Sequence, residues 1–112
     1  MSSLKESVTN ITTTGSYVIA LRSRPLGFKT ISLTLTNSDG VNSLKYKVDV
    51  SNDPQGAADT WAEEIAEQVL SAGAAAKHVL SGPFVWVAIQ VKDASGGSHA
   101  IANVYLLAVG IA

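Results

Sequence analysis

Cysteine is absent from the 112 residues, which excludes disulfides, thiolate nucleophiles and the common cysteine-ligated zinc sites together. Charge is scarce as well: Asp, Glu, Lys and Arg make up 15% of the chain, against about 25% in an average domain. The eight basic and nine acidic residues are scattered and nearly cancel, for a formal net charge of -1. Such a surface offers no footprint to a nucleic acid or an anionic membrane, and neither is expected as a partner. Long apolar runs are missing too. Nothing reaches the ~18 residues of a membrane span, and Met1-Ser2-Ser3-Leu4-Lys5-Glu6-Ser7 lacks the apolar core of a secretory signal, so synthesis as a soluble protein in the cytoplasm is expected. Asn10-Ile11-Thr12 matches a glycosylation acceptor, and with no secretion expected the match is read as chance.

What remains is an average apolar share, 46%, and a polar remainder rich in Ser, Thr, Asn and Gly. That profile suits an all-β domain, and the length suffices for one core. The clearest strand follows the turn dipeptide Gly82-Pro83. In Phe84-Val85-Trp86-Val87-Ala88-Ile89-Gln90-Val91-Lys92, Val85, Val87, Ile89 and Val91 point one way and Phe84, Trp86, Ala88 and Gln90 the other. A β-branched row belongs in a core, and two aromatics on the opposite row mark a central strand.

Residues 1 to 15 are polar, with Leu4, Val8 and Ile11 too sparse for a packed strand of their own, and read as an N-terminal arm, either flexible or tied down against a neighbouring subunit, before a single sandwich domain over 16 to 112. Tyr17 to Leu21 is a short apolar run closed by a Pro25 and Gly27 turn. From Phe28 to Asn37, Ile31, Leu33 and Leu35 alternate with Thr30, Ser32, Thr34 and Thr36. Asn37-Ser38-Asp39-Gly40 carries hairpin turn chemistry, which predicts that Leu44 to Val50 returns beside that strand.

The segment Asp59 to Leu70 has two readings. Thr60 and Glu63 have capping-box spacing, and Trp61, Ile65 and Val69 recur every fourth residue, which gives a short helix over about 59 to 71. Trp61, Glu63, Ile65, Glu67 and Val69 also alternate, which gives a strand, the reading favoured by the β character of the rest. The last strand, from about His99 to Val109, is apolar on both faces. A doubly apolar terminal strand points to cover by another subunit or by another part of the chain. The candidate interface residues are Tyr105, Leu106, Leu107, Val109 and Ile111.

Chemistry finds little to stand on. His78 and His99 have no neighbouring acid or second ligand in sequence, and no nucleophile elbow accompanies Ser98-His99, so an enzyme is not expected. Glu63, Glu64 and Glu67 read as a solvated face. Asp49, Asn52 and Asp53 are oxygen ligands in type but lack EF-hand spacing, and Gly96-Gly97 is a turn. No cofactor or metal is expected. Trp61 and Trp86 are packing residues or, alternatively, the stacking aromatics of a carbohydrate-binding or adhesion module.

An alternating strand ending in Val50-Ser51-Asn52-Asp53-Pro54, then Trp61, a Gly-centred turn, Gly82 to Lys92, a glycine turn and a final apolar strand form an ordered set over residues 43 to 109. This order resembles small β-sandwich accessory proteins of tailed phage particles, with the Glu-rich 59 to 70 segment departing from it. The resemblance implies a virion protein that decorates or cements the capsid or forms part of the neck or tail. It further implies a homo-oligomer, a trimer being favoured, with other virion proteins as partners. The expected fold is an antiparallel β-sandwich of about seven or eight strands, jelly-roll or immunoglobulin-like.

Overall fold

Alternation builds the strands, and burial follows it. In Thr30–Asn37, Ile31, Leu33 and Leu35 are buried while Thr30, Ser32, Thr34 and Thr36 are half-exposed. The computed structural model describes residues 3–110. Its strands are β1 (Ser3–Thr12), β2 (Val18–Ser23), β3 (Thr30–Asn37), β4 (Leu44–Ser51), β5 (Ala62–Leu70), β6 (Ala75–Ser81), β7 (Trp86–Asp93) and β8 (Ile101–Val109). Helical structure among the described residues is limited to one 3-10 turn, Ala58–Thr60.

The strands form two four-stranded sheets, ordered β1-β8-β3-β6 and β2-β7-β4-β5, with every neighbouring pair antiparallel. Strand β1 pairs with β8, β2 with β7, β3 with β6 and β4 with β5. The chain is thus one long hairpin rolled up so that its arms alternate between sheets. Only the β4 to β5 connection stays within a sheet. Eight strands in this order are a jelly roll, which settles the choice left open between that topology and an immunoglobulin-like one.

Between the sheets lie the apolar rows of both. Ile31, Leu33 and Leu35 of β3 and Val104, Leu106 and Ala108 of β8 face Leu44, Tyr46 and Val48 of β4 and Val87, Ile89 and Val91 of β7. Strand β7 is central in its sheet, as its sequence predicts, and Val85 lies just before it, half-buried. A polar pair stands at each open side of the sandwich. Ser23 Oγ donates to Glu6 Oε1 at 2.5 Å between β2 and β1. Tyr46 Oη and His78 Nε2 are 2.8 Å apart between β4 and β6, where burial raises the Tyr46 phenol above its ordinary pKa.

Two expectations are corrected. The arm assigned to residues 1 to 15 is, over Ser3–Thr12, an edge strand in register with β8 from Ser3 opposite Val109 to Thr12 opposite Ile101. Its period is broken by a bulge between Val8 and Ile11, where Asn10 takes φ 58 and donates its N–H to Asn103 Oδ1 at 2.9 Å. Leu4, Val8 and Ile11 therefore share the inward face although their spacing does not alternate. Among the described residues the sandwich already includes residue 3 and does not start at 16.

The second correction concerns β3 and β4, which are not a hairpin: they belong to opposite sheets. The turn chemistry is present, since Asp39 Oδ2 accepts from the N–H groups of Val41 and Asn42, but it bends the chain across the core. Buried Asn37 fixes the crossing by donating to Asn42 O at 2.8 Å and Leu70 O at 3.2 Å and accepting from Asp39 N at 3.1 Å. The segment 59 to 71 takes the favoured strand reading, with helical structure limited to the 3-10 turn. Ala62–Leu70 is strand β5, paired with β4 from Val50 opposite Ala62 to Leu44 opposite Leu70. Its Ala and Glu content suits an exposed edge strand, where charge discourages pairing with another chain.

Candidate functional site

Directly opposed residues in a sheet share a face, so the register defines the outer surface of β1-β8-β3-β6. One row across it is Lys5, Leu107, Ser32 and Val79; the next is Ser7, Tyr105, Thr34 and Lys77. Beyond them, Val109 lies beside Thr30 and Asn103 beside Thr36. Tyr105, Leu107 and Val79 are 43%, 38% and 67% exposed, an unusual density of large apolar groups for a solvated sheet. A groove of about 420 Å³ runs among Lys5, Ser7, Ser32, Thr34, Tyr105 and Leu107. The one carboxylate at its rim, Glu6, is turned toward β2 and held by Ser23. No acid points out of these rows, while Lys5 and Lys77 do.

Of the predicted interface residues, Tyr105 and Leu107 stand on this face, with Val109 half-buried at its end. Leu106 is corrected: strand alternation turns it into the core, where it is 2% exposed. Ile111 lies outside the described residues. Val79, Ser32 and Thr34 were missed, because only the β3 to β6 and β3 to β8 pairings reveal that they flank Tyr105 and Leu107.

The second sheet presents a different outer face. Its β2 and β7 ends bring Trp61 and Trp86 together around Arg22, whose guanidinium lies 5.2 Å from the Trp61 ring centre and 4.5 Å from that of Trp86. Arg24 adds a contact to Trp86 at 5.6 Å. Trp61 Nε1 donates to Gly56 O at 3.0 Å and Trp86 Nε1 to Pro54 O at 3.3 Å, so the turn before β5 is seated on both indoles. Gly56 has φ 63, and a Cβ there would lie 2.5 Å from Arg22 Nη2 and 3.2 Å from Trp86 Cδ1. The positive φ together with the approach to the Trp86 indole favours glycine there. The chain's own middle segment thus covers Trp86.

Beside the indoles a groove of about 360 Å³ is lined by Ile19, Arg22, Asp49, Trp61 and Gln90. Its polar groups are engaged with one another: Gln90 Nε2 donates to Asp49 Oδ2 at 2.6 Å, and Lys47 Nζ lies 3.9 Å from the same carboxylate. Further along, Tyr17 Oη donates to Glu67 at 2.5 Å, and Lys45 and Lys92 approach that carboxylate at 3.7 and 3.9 Å. The Tyr17 hydrogen bond, ahead of the two lysines, holds the Glu67 carboxyl below its usual range. Burial first, then Glu67, pushes the Tyr17 phenol up. Glu63 and Glu64 are exposed.

One pairing had no sequence signal. His99 Nδ1 lies 3.1 Å from each carboxylate oxygen of Asp93, which is buried and also accepts from Thr13 Oγ1 at 2.5 Å. Thr13, with His99 second, holds the Asp93 carboxyl below its ordinary pKa. A carboxylate that orients a histidine is two-thirds of a hydrolytic triad. However, no nucleophile bonds to the other ring nitrogen among the described residues, and the pair instead joins two connections: Thr13 Oγ1 accepts from Ala100 N at 2.8 Å, and Asp93 N donates to Thr14 O at 2.7 Å. Asp49, Asn52 and Asp53 do not converge. Asn52 Oδ1 accepts from Val85 N, and Asp53 Oδ2 from the N–H groups of Gln55 and Ala57. Among the described residues no three His, Asp or Glu side chains gather to hold a metal, and no helix is long and apolar enough to cross a membrane.

No family model and no curated protein matches the sequence. Solved structures do match in fold. The PBSX exported protein XepA superposes with a TM-score of 0.65 at 13% identity over 97% of this chain and 37% of its own. A structure reported for Bacillus endospore appendages, described as disulfide-linked pili, gives 0.62 at 10% identity over 98% and 89%. The SPBc2 prophage-derived protein YomS gives 0.54 at 9% identity over 96% of each chain. This chain spans little more than a third of XepA. Identities this low establish the shared all-β sandwich fold; the class defined by fold and surface is a jelly-roll domain with one acid-free sheet face on which Tyr105, Leu107 and Val79 stand exposed.

Proposed function

We propose that the chain is a non-enzymatic structural protein of a virus particle. It self-associates as a symmetric oligomer and decorates or stabilises the capsid, or forms part of the neck or tail, beside other virion proteins. The outer face of β1-β8-β3-β6 carries this reading: Tyr105, Leu107 and Val79 stand exposed among Ser and Thr with no acid between them. Leaving such groups in water gains nothing, whereas covering them contributes about 25 cal/mol per Å². The jelly roll is a recurrent fold of viral capsid domains, and a prophage-derived protein is among the neighbours in fold. Pili joined by disulfides are excluded as a direct analogue, because this sequence has no cysteine.

The adhesion alternative would use Trp61 and Trp86. It is disfavoured because Arg22 occupies the space between the indoles and Asp49, Gln90 and Lys47 already satisfy one another. The deciding experiment is density-gradient fractionation of particles released from the source cells, with mass spectrometry of each band. Peptides of this chain in the particle band support the proposal. Their recovery only in the soluble fraction overturns it.

A further inference from the structure

The outer rows of β8 and β3 differ systematically in size. Along β8 they run Val109, Leu107, Tyr105 and Asn103; directly beside them on β3 run Thr30, Ser32, Thr34 and Thr36. A ridge therefore lies next to a trough, one strand spacing of about 4.8 Å apart. On the far side of the trough, Lys77 and Val79 of β6 form a second ridge.

Two copies stacked through this face have two simple choices of two-fold axis in the plane between them. An axis perpendicular to the strands places β8 over β8, ridge on ridge. An axis parallel to the strands, midway between β8 and β3, places β8 over the partner copy's β3 and β1 over its β6. Every row then meets a complement. Leu107 lies over the position of Ser32, Tyr105 over Thr34, and Val109 over Thr30. Lys5 spreads its stem over Val79, and Lys77 meets Ser7, so no two lysines are directly opposed. Each copy brings Lys5 and Lys77 and no acid to the interface, so the stacked faces repel modestly and association strengthens as salt screens them.

The geometry points to a face-to-face homodimer through β1-β8-β3-β6, with its two-fold axis parallel to β8 and β3. This deepens the structural-protein reading and rests on it. Four strands about 4.8 Å apart and roughly 28 Å long cover about 500 Å² per copy, or about 1,000 Å² in all, the lower bound of a specific interface. Association is accordingly concentration-dependent. Sheet twist, with stacked strands crossing at up to about 30°, confines the row-on-row match to the middle rows, those of Leu107 and Tyr105. The trimer expected from the sequence needs a heterologous contact between two different surfaces; these rows match themselves.

The test is a swap of ridge and trough in the full chain, read by sedimentation velocity from about 1 to 500 µM, with circular dichroism confirming the fold. Leu107→Ser removes the ridge in one row, and Ser32→Leu fills the trough beside it. Each single variant is expected to weaken dimerisation at least about tenfold, and the double variant to return to within about threefold of wild type, because position 107 of one copy then again faces a complement at position 32 of the other. A wild type that is monomeric throughout, a trimer without a dimer, or a double variant no better than the worse single one would overturn the two-fold packing. Cofractionation with particles is read separately, so a monomer found in the particle band sinks the dimer and leaves the virion reading standing.

Discussion

Asn37→Ala tests whether one buried amide holds the crossing between the sheets. The side chain is 1% exposed and makes three hydrogen bonds, to Leu70 O, Asn42 O and Asp39 N. Leu70 is itself buried, so its carbonyl has no access to water once the amide is gone and accounts for about 1–2 kcal/mol. The other two partners are half-exposed and regain water, at about 0.5–1 kcal/mol each. The total is about 3 kcal/mol; with an unfolding entropy near 0.24 kcal/mol/K for 112 residues, that lowers Tm by roughly 13 °C.

Differential scanning calorimetry measures this directly, and Asn37→Asp supplies the control. At neutral pH its carboxylate faces the Leu70 and Asn42 carbonyls and costs more than alanine does. Those carbonyls raise the introduced carboxyl's pKa, so the folded state takes up its proton first. Stability of Asn37→Asp relative to Asn37→Ala must then rise as pH falls through that value. A Tm loss under about 3 °C for the alanine variant, or parallel pH profiles for the two, would refute the reasoning.

Three further outcomes are expected. Thr13→Val removes the largest cause of the lowered Asp93 pKa; wild-type stability from Asp93 is present above the ordinary carboxylate range and lost as pH falls through the lowered value, so the urea midpoints of the two proteins converge from pH 5 toward pH 2. Arg22→Ala withdraws both cation–π contacts, costing about 1 kcal/mol, and shifts the fluorescence of the only two tryptophans; unchanged emission would contradict the packing described. Deleting residues 3 to 12 bares the edge of β8 and the core beneath Leu4, Val8 and Ile11, so the β spectrum and solubility are lost together, whereas a dispensable arm would leave both intact.

The sequence shows its strands wherever the two-residue period is unbroken, as in β3, β4 and β7, and there the core rows of Ile31, Leu44 and Ile89 follow directly. It hides β1, because the bulge at Asn10 shifts the phase between Val8 and Ile11. Sheet membership is hidden too. Asp39 supplies the same turn chemistry whether the next strand returns beside β3 or crosses the core, and the choice depends on Asn37 reaching Leu70, 33 residues away. For the site, Tyr105 and Leu107 were legible as apolar residues on a terminal strand. Leu106 was misplaced by following apolar character instead of strand parity, and the trough of Ser32 and Thr34 exists only once β3 lies beside β8.

The nested pairing of β4 with β5, β3 with β6, β2 with β7 and β1 with β8 also predicts an order of events in folding. Brought together from an open chain, Ser3 and Val109 close a loop of over a hundred residues, whereas Val50 and Ala62 close one of about ten. Each inner pair that forms shortens the loop the next must close, so the chain zips outward from the turn that Gly56 and the two indoles anchor. Mutations in β4 and β5 should slow folding, and those in β1 and β8 should mainly speed unfolding. The last pair to join completes the β8 ridge and its neighbours, so on this order the face proposed to meet a second copy is finished only when the rest of the molecule is already in place.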